Sequence, residues 1–222
     1  LSKTNVRLVG YTQPSEEFVE DFSDVKELII FCARVSNPSN QFNMETADKL
    51  LKFLMRHKHW SPFEMANATV EIETTRDIAR QILRHRSFSF QEFSQRYSEP
   101  TNSFPFVYRE ARLQDPKNKQ NSLYVEDAEL SQWWKNVQTD IMTMVHQYYN
   151  EALDRGIAKE QARAILPEGL TKSRLYMQGT IRSFIHYIEL RTYEGTQDEH
   201  IEVAKEVANA IYQIFPYVLK ED

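Results

Sequence analysis

Residues 67–86 carry the pattern that most restricts how this chain can fold. Over 67–74 the residues Ala68, Val70 and Ile72 alternate with polar partners, a period of two that predicts a strand with one buried face. From Thr75 the period changes to that of a helix running to about Arg84. Read on to Arg86, it gathers Ile78, Ala79, Ile82 and Leu83 on one side and Arg80, Gln81, Arg84 and His85 on the other. A strand therefore runs straight into an amphipathic helix, and both need cover.

The rest of the chain continues this mixture. Residues 6–11 read as a short strand closed by Gln13-Pro14-Ser15, and Ser23 or Asp24 caps a helix reaching about Val35. Asn37-Pro38-Ser39-Asn40 breaks the chain before a helix over 45–56, with Ala47, Leu50, Leu51 and Leu54 at helical spacing. Residues 114–125 form the most polar connection and read as a surface loop. A long helix follows, with Trp133, Trp134, Val137, Ile141, Met144, Val145 and Tyr148 on its apolar side, ending near Gly156. A short helix over 160–166 stops at Pro167, residues 170–176 read as a strand, and helices over 181–190 and 201–214 close the chain. The expectation is an α+β fold: one helix-rich domain over residues 1–222, with a small, mainly antiparallel sheet packed by helices.

The basic end of the 78–86 helix is the candidate site. Four of seven consecutive residues (Arg80, Arg84, His85, Arg86) are basic, in a chain whose 27 Lys and Arg face 32 Asp and Glu, for a net charge of −5. An acidic total argues against a protein that coats nucleic acid, so an anion must meet this local cluster. With 5 Gly and no glycine-rich phosphate loop, any bound phosphate must be held by side chains, and arginine suits that task. The next segment, 87–97, interleaves Phe88, Phe90 and Phe93 with hydrogen-bonding residues. A solvated basic face, a nucleic-acid module stacking bases on those phenylalanines, and a helical protein docking an acidic partner are the competing readings.

One cysteine excludes an intrachain disulfide framework and a multi-cysteine zinc site. Cys32 stands in the apolar run Leu28-Ile29-Ile30-Phe31-Cys32-Ala33 and reads as a helix filler rather than a nucleophile. No run approaches the roughly 18 apolar residues of a membrane span, and no signal-peptide pattern opens the chain. No metal, membrane or nucleic-acid partner is expected, and a reducing cytoplasmic location (the host cytoplasm for a viral source) fits.

Several motifs together resemble one family. Arg84-His85-Arg86-x-x-Ser89, followed by Glu92-x-Ser94-x-Arg96-Tyr97, is similar to the signature of flavin-dependent thymidylate synthases. His59-x-Ser61-Pro62-Phe63-Glu64, Ala162-Arg163-x-x-Leu166-Pro167, Arg182-Ser183-x-x-His186-x-x-x-Leu190-Arg191 and Gly195-Thr196-Gln197 resemble further family blocks in the same order. The resemblance implies methylation of dUMP to dTMP in de novo dTMP biosynthesis. It implies 5,10-methylenetetrahydrofolate as carbon donor, NADPH-reduced FAD as hydride donor, and a homotetramer with shared active sites.

The same resemblance implies the roles. Arg84, His85 and Arg86 hold FAD, with Arg84 also reaching dUMP across a subunit boundary. Gln81, the loop Glu92-Phe93-Ser94-Gln95-Arg96, and Arg163 hold the nucleotide, Glu92 also facing the flavin. Arg191 touches dUMP and is the catalytic residue, activating the uracil ring as a fixed cation; the bland alternative is a helix C-terminal arginine favoured by the dipole. His59, Ser61, Thr180, Arg182 and His186 complete the FAD contacts, Thr180 and His186 standing where other members carry Asn. Ser94 is expected to bind rather than attack, since no adjacent base activates it. Glu64 orients neighbours or makes a structural hydrogen bond.

Overall fold

The alternating stretch forms β2 (Asn67–Thr75), and in the computed structural model, which describes residues 4–99 and 106–218, it is paired on both sides. β1 (Asn5–Tyr11) lies along one side and β6 (Lys172–Thr180) along the other, with β3 (Ser89–Glu92) outside β6. The 4-stranded sheet has the order β1-β2-β6-β3, and every neighbouring pair is antiparallel.

Register sorts the two faces. Ala68 opposes Gly179, Val70 opposes Met177 and Ile72 opposes Leu175, which gathers small and apolar groups on the inner face. The outer face is a polar ladder: Arg7 Nε donates to Glu71 at 3.0 Å, Tyr176 donates to the same carboxylate at 2.8 Å, and Arg174 Nε donates to Glu73 at 3.0 Å. Among the described residues, helices therefore cover one face only.

That cover is built from α1 (Val25–Ala33), α2 (Ala47–Arg56), α6 (Ile181–Arg191) and α7 (Asp198–Tyr212). Asp24 caps α1 by accepting from the Glu27 amide at 2.9 Å. Ile29, Ile30, Leu51, Phe184, Val203, Val207 and Ile211 are sealed in a common core with Val70, Ile72, Leu175 and Met177. α3 (Arg76–Ile82) leaves β2 directly, Thr75 standing at the switch as its N-cap. The expected α+β architecture with a small antiparallel sheet is what forms.

Four details differ from expectation. The basic helix ends at Ile82, and the chain tightens through three-residue bonds, His85 N–H to Ile82 C=O and Phe88 N–H to His85 C=O. This turn swings Phe88 back into the core against Phe184 and Tyr187, so His85 and Arg86 leave the helix. The polar stretch 114–125 is not a plain loop, because β4 (Arg112–Gln114) and β5 (Ser122–Tyr124) pair as a hairpin. Its turn is tied by Asp115, whose carboxylate accepts from the Lys117 and Asn118 amides at 2.8 and 3.1 Å. The strand expected at 170–176 continues to Thr180, and the last helix begins at Asp198 rather than 201.

α4 (Ala128–Asp154) is the expected long helix, followed by the single turn α5 (Lys159–Ala162). Its inward residues are Gln138, Met142 and Tyr149, while much of its apolar stripe (Trp133, Ile141, Met144, Tyr148) is exposed. Cys32 is half-buried on α1, and burial pushes its thiol up, away from thiolate character. Among the described residues no helix is long and apolar enough to cross a membrane.

Candidate active site

The expected site residues fall into three clusters. The first lies where α3, α6 and α7 converge. Arg191, at the end of α6, donates through Nε to His85 Nε2 at 2.9 Å. That bond requires a lone pair on Nε2, so the proton of a neutral imidazole sits on Nδ1. Burial and the Arg191 charge both hold His85 below the usual histidine range. Neither Nη group of Arg191 has a partner among the described residues, and Arg84 and Arg86 beside it are exposed cations equally without side-chain partners there.

Behind this pair lies a layer the sequence reading left without a role. Tyr187, buried on α6, meets the His85 ring edge to face at 4.9 Å. Its hydroxyl hydrogen-bonds His200 Nε2 at 3.1 Å, and His200 Nδ1 reaches Gln81 Oε1 at 3.1 Å. Gln81 donates to Gln197 at 2.9 Å, and Gln197 donates to Glu199 at 2.8 Å. Gln81, expected to hold nucleotide, thus engages other side chains through both its amide nitrogen and its oxygen. His200 is fully buried, and burial with the nearby Arg191 and His85 holds it at about 3, neutral throughout the physiological range. Burial alone would raise Glu199, but the Arg112 hydrogen bond, the Arg109 charge and the Gln197 amide win and hold it at about 2.

The second cluster joins the loop after β3 to α5. Arg96 lies 3.5 Å from the Glu160 carboxylate, and Arg163 Nε donates to the Glu160 carbonyl at 3.3 Å. Ser94 Oγ accepts from the Arg96 amide at 3.4 Å, and the Phe93 amide donates to Arg174 C=O at 2.8 Å. Glu92 turns inward, accepting from Ser173 at 2.9 Å with Arg76 at 3.5 Å, so its carboxylate is occupied. Gln95 is 4% exposed, and its Nε2 has no hydrogen-bond partner among the described residues. A buried amide donor without a partner is costly, and it marks the one polar group of this cluster whose place the described contacts do not explain.

The third cluster packs the 3-10 turn Ser61–Glu64 against α6. Arg182 donates to Glu64 at 2.5 Å, and His186 meets Trp60 edge to face at 4.8 Å. This hydrogen bond is compatible with either role expected of Glu64. His59 sits against Phe53, with ring centroids 6.0 Å apart, and Ser61 is exposed. Thr180 accepts from the Ser183 amide at 3.1 Å and so caps α6. Arg80 is paired with Glu168, which removes it from any free basic face.

The three clusters share no side-chain hydrogen bond or ion pair with one another among the described residues. What the sequence reading missed is the supporting layer: Tyr187, Gln197, Glu199 and His200, with Arg109 and Arg112 holding Glu199. Only the apolar setting of Tyr187 between Phe184 and Ile188 could have marked a buried hydroxyl that needs a partner.

A family model described as thymidylate synthase complementing protein matches residues 17–217. The chain is 49% identical over 216 residues to a probable flavin-dependent thymidylate synthase of Paramecium bursaria Chlorella virus 1, covering 97% of each chain. It is 48% identical over 214 residues to a flavin-dependent thymidylate synthase of Synechocystis, covering 96% of this chain and 97% of that one. In structure it is similar to the UMP/dUMP methylase PolB from Streptomyces cacaoi bound with 5-Br dUMP, at TM-score 0.78 and 26% identity over 98% of this chain and 93% of the other.

Proposed function

The chain belongs to the flavin-dependent thymidylate synthases, and on that premise we propose that it methylates dUMP to dTMP with FAD as its bound cofactor. The carbon comes from 5,10-methylenetetrahydrofolate and the reducing equivalents from NADPH. Residues 1–222 act as one domain, within a cytoplasmic homotetramer whose sites are shared between subunits.

The observation that carries the reading is Arg191, whose Nε is fixed by His85 while both Nη groups are without partners among the described residues. A guanidinium held by one edge presents the other to a uracil carbonyl and N3. There it stabilises the negative charge that develops as the ring is activated, with no protein nucleophile. Cys32, with its thiol pushed up by burial on α1, is not poised for attack.

The donor set fits FAD. Arg84 and Arg86 supply cations without side-chain partners among the described residues and His85 a neutral ring with Nδ1–H, and the remaining contacts are assigned to His59, Ser61, Thr180, Arg182 and His186. Bound FAD, once reduced, supplies the hydride. Arg96, Arg163 and Ser94 are assigned to the nucleotide phosphate, and Gln81, Phe93, Gln95 and Arg84 to the rest of its pocket.

The purified protein is expected to be yellow. It should release tritium from 5-labelled dUMP only when NADPH and methylenetetrahydrofolate are present. Arg191→Ala should abolish that release while flavin absorbance remains. A colourless protein that leaves free FAD fluorescence unchanged on titration would overturn the proposal.

A further inference from the structure

We propose that Glu199, Gln197, Gln81, His200 and Tyr187 form a one-way hydrogen-bond chain that positions the His85–Arg191 pair, a role that rests on reading Arg191 as the activating cation. The direction follows from donor and acceptor chemistry alone. An ionised carboxylate only accepts, so the contact at Glu199 Oε2 must be made by the Gln197 amide nitrogen, 2.8 Å away. Gln197 then turns its oxygen to Gln81, which donates at 2.9 Å, and Gln81 turns its own oxygen to His200. His200 Nδ1 must therefore carry the proton, at 3.1 Å, and its Nε2 must accept from the Tyr187 hydroxyl, also at 3.1 Å. Once the first link is set, no later link can run the other way.

The carboxylate at the head of the chain is itself clamped. Glu199 Oε1 faces Arg112 Nη2 and lies 3.1 Å from Arg109 Nη1, and Arg109 Nη2 donates to Asp77 at 2.8 Å. Asp77 and Gln81 are one turn apart on α3, so the chain leaves and rejoins the same helix and fixes it against the start of α7. At the other end Tyr187 stands one turn before Arg191 on α6, and its ring is the wall against which His85 lies. Holding the Tyr187 hydroxyl proton on His200 keeps that wall fixed, and His85 keeps its Nε2 lone pair toward Arg191. Tyr187, His200, Gln197 and Glu199 are positioning residues; none needs to touch substrate.

Glu199→Gln is the discriminating variant. Its oxygen stays with Arg112 and Arg109, so its amide nitrogen takes the place of Oε2 and donates to Gln197. Both glutamines must then flip, His200 must accept at Nδ1, and its proton moves to Nε2. Tyr187 becomes an acceptor, and its own proton is left in a buried site with nothing to receive it.

The measurement is long-range proton–nitrogen correlation on the imidazoles of the purified enzyme, with and without added FAD, His200 being assigned by substitution. The wild type should show His200 as the Nδ1–H tautomer and Glu199→Gln as the Nε2–H tautomer. Turnover number should fall about ten-fold, as expected for one lost hydrogen bond, with the KM for dUMP and flavin content little changed. Tyr187→Phe, which keeps the ring and the upstream links, should leave the His200 tautomer as in wild type and reproduce the fall in turnover. Should Glu199→Gln not fold, Gln197→Glu supplies the second test. There the new carboxyl group shares a proton with Glu199 Oε2 and its other oxygen accepts from the Gln81 amide, so the Nδ1–H tautomer survives and its loss overturns the chain.

An unchanged tautomer in Glu199→Gln, or a wild-type His200 protonated at Nε2, overturns the chain. An inverted tautomer with unchanged turnover overturns its positioning role. Failure of the wild type to bind flavin or release tritium would instead strike the proposed function, since the tautomer measurement does not depend on turnover.

Discussion

Gly179 sits in β6 where a side chain would collide with the ring that ends the basic turn. A Cβ built there lies 2.4 Å from Phe88 Cδ1, 2.8 Å from Cε1 and 3.3 Å from the Ser87 carbonyl oxygen. Phe88 cannot retreat, because Phe184 and Tyr187 pack against its other sides, at ring centroid distances of 5.0 and 6.0 Å. Gly179→Ala should therefore cost about 1–3 kcal/mol, the usual range for forcing extra volume into a packed core. The displacement should pass along the chain, since only Ser87 separates Phe88 from Arg84, His85 and Arg86. Thermal melting with and without FAD separates the two effects: a lower melting temperature and a smaller FAD-induced rise are both expected. A variant melting like wild type would show that Phe88 has room to move.

Among the elements, α4 carries the clearest unfinished surface. Its exposed Trp133, Ile141, Met144 and Tyr148 form a stripe along a 27-residue helix, opposite the Gln138, Met142 and Tyr149 that face inward. So much apolar surface along one helix face marks an interface, and a second copy of the chain is the occupant the proposed tetramer supplies. Ile141→Glu combined with Met144→Glu should split the assembly in sedimentation and abolish turnover together; an intact tetramer would place the interface elsewhere. Periodicity found this helix, as it found the switch from β2 to α3, because the patterns are local to each element. It could not find the end of α3 at Ile82, which is set by Phe88 burying itself beneath Gly179, 91 positions further on. It also missed the β4–β5 hairpin, whose short strands are polar and whose turn is organised by Asp115 rather than by apolar alternation. At the site, the family motifs indicated the Arg84–Arg86 and Arg191 segments. The supporting chain was invisible, because Gln81 meets Gln197 and His200 across separations of 116 and 119 residues.

At the scale of the whole molecule, the buried polar chain ties stability to pH in two windows. His200 is held at about 3 against an ordinary 6.5, so between those values the unfolded chain takes up a proton that the folded protein refuses. Its contribution to stability is thus complete above 6.5 and declines as the pH falls. His85, shifted down by burial and by Arg191, acts with the same sign. Glu199 enters only lower down. Held at about 2 against 4.5, it favours the folded state above 4.5 and loses that effect as the pH falls toward 2. From pH 7 to 5 the loss therefore belongs to the histidines. For His200 alone it amounts to about 2 kcal/mol, at roughly 1.4 kcal/mol per pH unit below 6.5. Urea midpoints of the FAD-loaded protein at pH 7 and pH 5 should differ accordingly. His200→Leu should start lower, because Gln81 and Tyr187 lose their partner, but its curve should be flatter between those pH values. An equally steep curve in that variant would mean that the acid sensitivity originates outside the chain of hydrogen bonds behind Arg191.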